Sequence, residues 1–258
     1  MLSETLIDNI HCCDYLELFR EIPDNTVSLV LTDPPFGVEY QNNYTHEMHE
    51  VLAGDVNSFS YSDLGRQSWR VLKDNTAIFA YTGWSKYLEH FPEFSKAGFD
   101  MKEPLIVQKR PSGKTDLYGT FQTNSDWIMF GHKGRFIFQY TELVRNKYAG
   151  ITPNCGRKPV AEFKRRFPSC WFSEEFPWST ENPVFQKKHD IKHPTIKTVK
   201  FMEWLILLTT KEGDIVVDPF CGTGPVAVAA KRHNRRFICS DITPKFCDYA
   251  RYRLEHDL

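Results

Sequence analysis

The chain lacks any long apolar run: its longest uninterrupted stretches, such as Trp204 to Leu208, fall far short of the ~20 residues a membrane-spanning helix needs. Met1 to Ile10 carries Glu4 and Asp8 and has no basic flank, so it does not read as a secretory signal. Cysteine is sparse and unpaired in pattern. There are seven, an odd number, two of them adjacent (Cys12, Cys13), and no CxxC spacing exists to hold zinc or run dithiol chemistry. They read as small buried hydrophobes. No internal repeat or low-complexity tract is present. These absences exclude a disulfide-stapled, collagen-like or disordered chain, and the expectation is a soluble, cytoplasmic protein with no membrane partner and no metal.

What remains is ordinary globular material: 258 residues, 41% apolar and 25% charged, room for one large domain or one domain with a small insert. The net charge of −1 hides an uneven distribution. Residues 131–200 hold 14 Lys/Arg against 6 Asp/Glu, a local excess of +8, so the remainder carries −9. A basic segment in an acidic protein suits a polyanionic partner, although a solvated Lys/Arg face would look the same on charge alone.

Periodicity predicts alternating strands and helices: strands at Leu6–Cys12, Val27–Thr32, Ala77–Tyr81, Pro104–Gln108 and Trp127–Phe130, with helices at Asp14–Arg20, Phe59–Leu72 and Trp84–Ala97, the last closed by Gly98. The pattern dissolves between about 133 and 192, where five prolines, Lys164-Arg165-Arg166, Trp171 and Trp178 lie. It resumes at Pro194 with a helix through Leu208, strands at Asp214–Val217 and Arg236–Ser240, and helices at Val226–His233 and after Pro244. The expected architecture is an α/β domain with a mainly parallel sheet, made of 1–132 and 193–258, interrupted by a basic insert at 133–192.

Two motifs carry chemistry. Asp218-Pro219-Phe220-Cys221-Gly222-Thr223-Gly224 lies between a strand and a helix. Its glycines let backbone approach a ligand, and the helix start offers free N–H donors. Asp241 ends the next strand, where a carboxylate can accept both hydroxyls of a ribose. This suits a nucleoside cofactor without naming it. Asp33-Pro34-Pro35-Phe36 ends a buried strand, because prolines cannot continue the ladder. A carboxylate, an adjacent carbonyl and an aromatic face together suit a planar base bearing an amino group.

With these motifs, His193-Pro194-Thr195-Ile196-Lys197 and Asp241, the sequence resembles the beta group of DNA amino-methyltransferases, which make N6-methyladenine or N4-methylcytosine with S-adenosyl-L-methionine. The order is the group's own: catalytic motif first, cofactor motif last, variable region between. The resemblance implies a Rossmann-like methyltransferase fold with circularly permuted motif order, covering roughly 1–132 and 193–258 and leaving the insert unaccounted for. It implies that Asp33, Pro34, Pro35 and Phe36 address the target base. Asp218, Phe220, Cys221, Gly222, Thr223 and Gly224 would form the cofactor turn, Asp241 would take the ribose, and His193, Thr195 and Lys197 would approach the methionine end. Asp14 matches the acidic position near the cofactor's adenine. Thr198 stands where the group usually has proline, and Pro225 where it has a small hydroxyl residue.

Aspartate rather than serine before the prolines resembles the adenine enzymes more than the cytosine-N4 enzymes. The resemblance further implies DNA as partner, a restriction-modification setting in a bacterial or phage-infected cell, and a homodimer as an open arrangement. The alternatives at this point are a cytosine-N4 enzyme, an inactive DNA-binding relative, and a nicotinamide oxidoreductase that would leave Asp33 to Phe36 without a role. The absence of any Pro-Cys dipeptide speaks against covalent methylation of cytosine C5. His46-Glu47-Met48-His49 has the wrong spacing to place two imidazoles on one helical face. In the insert, Lys164, Arg165 and Arg166 are the candidates for phosphate contacts.

Overall fold

A computed structural model describes residues 2–35, 59–108, 125–139, 183–191, 193 and 196–257. Phe36, Thr195, Trp171, Trp178 and the Lys164-Arg165-Arg166 cluster lie outside them. In chain order the elements are β1 (Asn9–Cys12), α1 (Tyr15–Glu21), β2 (Val27–Thr32), α2 (Tyr61–Val71), β3 (Leu72–Thr82), α3 (Tyr87–Ala97), β4 (Asp100–Met101), β5 (Leu105–Gln108) and β6 (Ser125–Lys133). There follow α4 (Pro183–His189), α5 (Val199–Thr209), β7 (Ile215–Asp218), α6 (Pro225–Arg232), β8 (Arg236–Asp241) and α7 (Pro244–His256).

Among the described residues the strands form one sheet of order β1-β8-β7-β2-β3-β6-β4, with β5 also on β6. The pairs from β1 to β3 are parallel, and β6 runs antiparallel to β3, β4 and β5. β2 is buried along its whole length because helices cover both faces. Alternation sets Leu29 and Leu31 toward a core with α5, α6 and α7 and Val30 toward α1, α2 and α3, and a register shift between Val27 and Leu29 puts Val27 in the second core as well. None of the helices is long and apolar enough to cross a membrane among the described residues.

Local signals explain the ends. Asp14 caps α1 by accepting the Leu16 amide at 2.8 Å, and Ser60 caps α2 by accepting that of Asp63 at 3.2 Å. Gly98 ends α3 at φ 112°, a left-handed conformation that an L side chain rarely adopts. Among the described residues of the irregular region lies a helix that periodicity did not predict, α4. Phe136 and Phe138 pack on Phe130, and the Gln139 amide donates to the Leu208 carbonyl at 2.6 Å.

The two departures from the family pattern fit the backbone. Thr198 is the N-cap of α5 at φ −74°, an angle proline shares, so threonine there keeps the same backbone. Pro225 opens α6, where its fixed φ is already helical and its missing N–H would be unpaired anyway.

Candidate active site

The topology dictates where a ligand can sit. From the sheet centre, β7–α6–β8 winds one way and β2–α2–β3 the other, so the strand order reverses between β7 and β2. Such a switch point leaves a crevice at the carboxyl ends of the two strands. Asp218 ends β7 and Asp33 follows β2, so the two sequence motifs meet there although 185 residues apart. The Thr32 hydroxyl donates to Asp218 Oδ1 at 2.7 Å and ties the two strand ends together.

On the β7 side the turn 219–224 is built on two left-handed glycines, Gly222 at φ 49° and Gly224 at φ 75°. A Cβ on Gly222 would come within 3.2 Å of His193 Nε2, and one on Gly224 within 2.8 Å of Ala250 Cβ. His193 lies over the turn and meets the Phe246 ring edge-on at 4.6 Å. Asp241 Oδ2 accepts the Gly222 amide at 3.0 Å and Oδ1 accepts the Thr243 amide at 2.8 Å. A carboxylate has about four acceptor directions, so capacity for a pair of hydroxyls remains. Burial pushes the Asp241 pKa upward, against the pull of these two amides. Asp14 lies just past the end of β1, whose Cys12 is in register with Asp241. The Thr223 hydroxyl is braced from behind by Arg253 at 3.0 Å. Cys221 is buried, and burial holds its thiol well above the ordinary range, so it is no thiolate nucleophile.

Burial pushes the Asp218 pKa up to about 8, opposed by hydrogen bonds from Thr32 and the Phe220 amide. Because the carboxyl ionises near 8 in the fold and near 3.8 otherwise, its contribution to stability is complete below about pH 4 and is lost as pH rises through 8. Asparagine keeps the acceptor oxygen and cannot ionise. Asp218→Asn should therefore gain stability relative to wild type between about pH 5 and about pH 9, by roughly a few kcal/mol at the upper end. Denaturation midpoints of both proteins at the two pH values check this, and a pH-independent difference would count against it.

Tyr15, Phe59, Tyr61, Tyr81, His90 and Asp126 carried no signal of a site in the sequence and are brought to it by the fold. Phe220 packs at 5.0 Å on Tyr15 and at 5.1 Å on Phe59, an aromatic wall drawn from three distant segments. Tyr61 stacks on His90 at 3.4 Å and its hydroxyl donates to the Tyr81 carbonyl. Burial lowers the His90 pKa to about 4, so this imidazole is neutral at physiological pH. Tyr81 is fully buried and its hydroxyl has no hydrogen-bond partner among the described residues. Lys197 is also buried. Its ammonium lies 3.3 Å from Asp33 Oδ2, 3.2 Å from Asp126 Oδ2 and 4.6 Å from the centre of the Tyr81 ring. Of the residues expected at the site, Asp33, Pro34 and Pro35 follow β2, while His193, Asp218 to Gly224 and Asp241 gather at the glycine turn.

The sequence model of the N6/N4 DNA methylase family matches residues 27–252, which takes in both motifs and the stretch between them. The chain belongs to this family. Among curated relatives, it is 28% identical to the type II methyltransferase M.BamHI of Bacillus amyloliquefaciens over 94% of this chain and 56% of that protein. It is 25% identical to the type II methyltransferase M.HpaI of Haemophilus parainfluenzae over 95% of this chain and 74% of that one. The chain thus spans little more than half the length of M.BamHI. Two solved structures share the fold. One, titled an M1.HpyAVI–SAM complex, has TM-score 0.63 at 17% identity, covering 95% of this chain and 99% of that chain. The other, the cytosine-N4-specific PvuII DNA methyltransferase, has TM-score 0.64 at 17% identity, covering 95% and 85%. The N6/N4 methylase fold is therefore the Rossmann-like α/β architecture expected from the motifs.

Proposed function

We propose that this N6/N4 methylase transfers a methyl group from S-adenosyl-L-methionine to the N6 amine of an adenine flipped out of DNA. The observation that carries the reading is the meeting of Asp33 and the Asp218–Gly224 turn across the switch-point crevice. The chain's residues fit the donor. The two left-handed glycines leave the turn without side chains, Asp241 retains acceptor capacity, and Phe220 supplies an aromatic surface. When bound, the donor supplies an electrophilic methyl on a sulfonium.

An exocyclic amine is a poor nucleophile because its lone pair is delocalised into the ring. Asp33 and the Pro34 carbonyl accept its two hydrogens and draw the nitrogen toward a tetrahedral geometry. With the donor held by the turn and Asp241, the amine lone pair would form the N–C bond as the C–S bond breaks, its electron pair remaining on sulfur, and the cationic nitrogen would release one proton to water. Positioning and electrostatics do this with no covalent enzyme intermediate. A base inside a duplex cannot reach such a crevice and must be flipped, and Phe36 is assigned to stack on it. The aspartate before the prolines supports adenine over cytosine. Incubating the protein with DNA and S-adenosyl-L-methionine carrying a labelled methyl tests the reading: label should enter DNA. Failure to label any DNA, with the donor bound, would favour an inactive DNA-binding relative.

The basic insert supplies the phosphate contacts in this reading. Lys164, Arg165 and Arg166 position the duplex without reading its sequence. Replacing the three with alanine should weaken binding to all DNA and flatten its salt dependence, while the methylated site stays the same. The slope should fall by up to about 0.9 for each phosphate no longer neutralised. A changed site with an unchanged slope would make them base-reading residues instead.

A further inference from the structure

The Lys197 ammonium is almost wholly buried. Only 5% of its side chain is exposed, and it bridges Asp33, at the carboxyl end of β2, to Asp126, a 6%-exposed carboxylate on β6. Burying a lysine costs several kcal/mol unless it is paired, and here one cation serves two carboxylates. The Tyr81 ring lies beneath it, adding a cation–π contact. Four chain segments converge to build this cluster, and the most exposed of its charged members is Asp33, at 23%.

We propose that Lys197 and Asp126 are positioning residues for Asp33: the ammonium holds Asp33 in place and ionised as an acceptor for the target amine, and Asp126 anchors the ammonium. This rests on the role given to Asp33 above. An opposite charge at this distance favours the carboxylate, and a nearby carboxylate disfavours it, so Lys197 must outweigh Asp126 for Asp33 to accept hydrogen. The charge on Lys197 is itself secure: burial opposes it, but Asp126 and Asp33 together hold its pKa above the usual lysine value. Among the described residues, the other titratable groups facing Asp33 are Asp218 on β7, Tyr61 on α2 and Tyr81 on β3. Burial keeps both phenols neutral through the working range. Asp218 is common to all the variants compared below.

The test is the pH dependence of single-turnover methyl transfer, alongside S-adenosyl-L-methionine affinity by calorimetry. Lys197→Met leaves Asp33 beside Asp126 without the ammonium between them, so the acid limb should move up by about 1–2 pH units, a 10–100-fold loss on the acid side that is largely recovered at alkaline pH. Donor affinity should change by less than about threefold. Removing the second carboxylate as well, in Lys197→Met/Asp126→Asn, should move the limb back toward acid, and Lys197→Arg should restore most of the wild-type profile. Where Lys197→Met does not fold, Lys197→Gln removes the same charge with a polar side chain and should show the same limb. A loss equal at every pH would overturn the proposal, leaving Lys197 a structural residue. An unmoved profile with donor affinity weakened tenfold would overturn it too, placing Lys197 on the methionine carboxylate. If Asp33→Ala transfers methyl normally, the reading of Asp33 fails instead.

Discussion

Asp33→Ala is expected to lower methyl transfer by at least about 10²–10³-fold, the scale on which losing one preorganised polar partner of a transition state is felt. S-adenosyl-L-methionine affinity should stay near wild type, because the glycine turn and Asp241 proposed for the donor lie on the β7 side of the crevice and Asp33 on the β2 side. The pairing of results matters more than either alone. A truncation that merely unfolded the site would weaken donor binding as well. Single-turnover transfer and calorimetric affinity on the same preparation check both, and near-normal turnover would remove Asp33 from the mechanism.

Gly224→Ala is the second large effect, and it falls on the fold and the donor together. At φ 75° an alanine carries about 1–2 kcal/mol of left-handed strain. Its Cβ would also lie 2.8 Å from Ala250 Cβ and 3.1 Å from Ala250 Cα in α7, atoms that cannot rotate away. Overpacking of that kind adds about 1–3 kcal/mol. The sum, about 2–5 kcal/mol, should appear as a lower denaturation midpoint, with donor affinity falling because the turn must shift to relieve the contact. An alanine variant with unchanged midpoint and affinity would contradict the backbone geometry of the turn.

The parts of this site that were legible in the sequence are those in which local chemistry and chain direction coincide. Val27–Thr32 is a buried, largely apolar run that stops at two prolines, so both the strand and the Asp33 turn could be placed from residues alone. The glycine turn was legible because φ near +50° to +75° selects glycine, and the helix that follows opens on proline. β3 was harder: it begins at Leu72, directly after α2, and its first residues include Lys73, Asp74 and Asn75, which disguise a strand start that only the sheet reveals.

Asp126 had no sequence signal at all. One aspartate in a strand reads as an ordinary polar position, and its pairing with Lys197 spans 71 residues. It depends on the antiparallel placement of β6 beside β3, where Trp127 pairs with Thr82. Tyr81 likewise read as strand core, and only the fold sets its ring under a buried ammonium. The aromatic wall of Tyr15, Phe59 and Phe220 is equally non-local. Helix α4 was hidden by its setting in a proline-rich, basic stretch, where the periodicity of seven residues is too short to stand out.

The most direct measurement is nucleoside analysis of DNA after incubation with the protein and S-adenosyl-L-methionine. The expected product is N6-methyladenine, present with wild type, absent with Asp33→Ala, and without 5-methylcytosine in either. N4-methylcytosine as the sole product would contradict the adenine assignment while keeping the amine chemistry at Asp33, and 5-methylcytosine, or N6-methyladenine formed equally well by Asp33→Ala, would contradict the site itself.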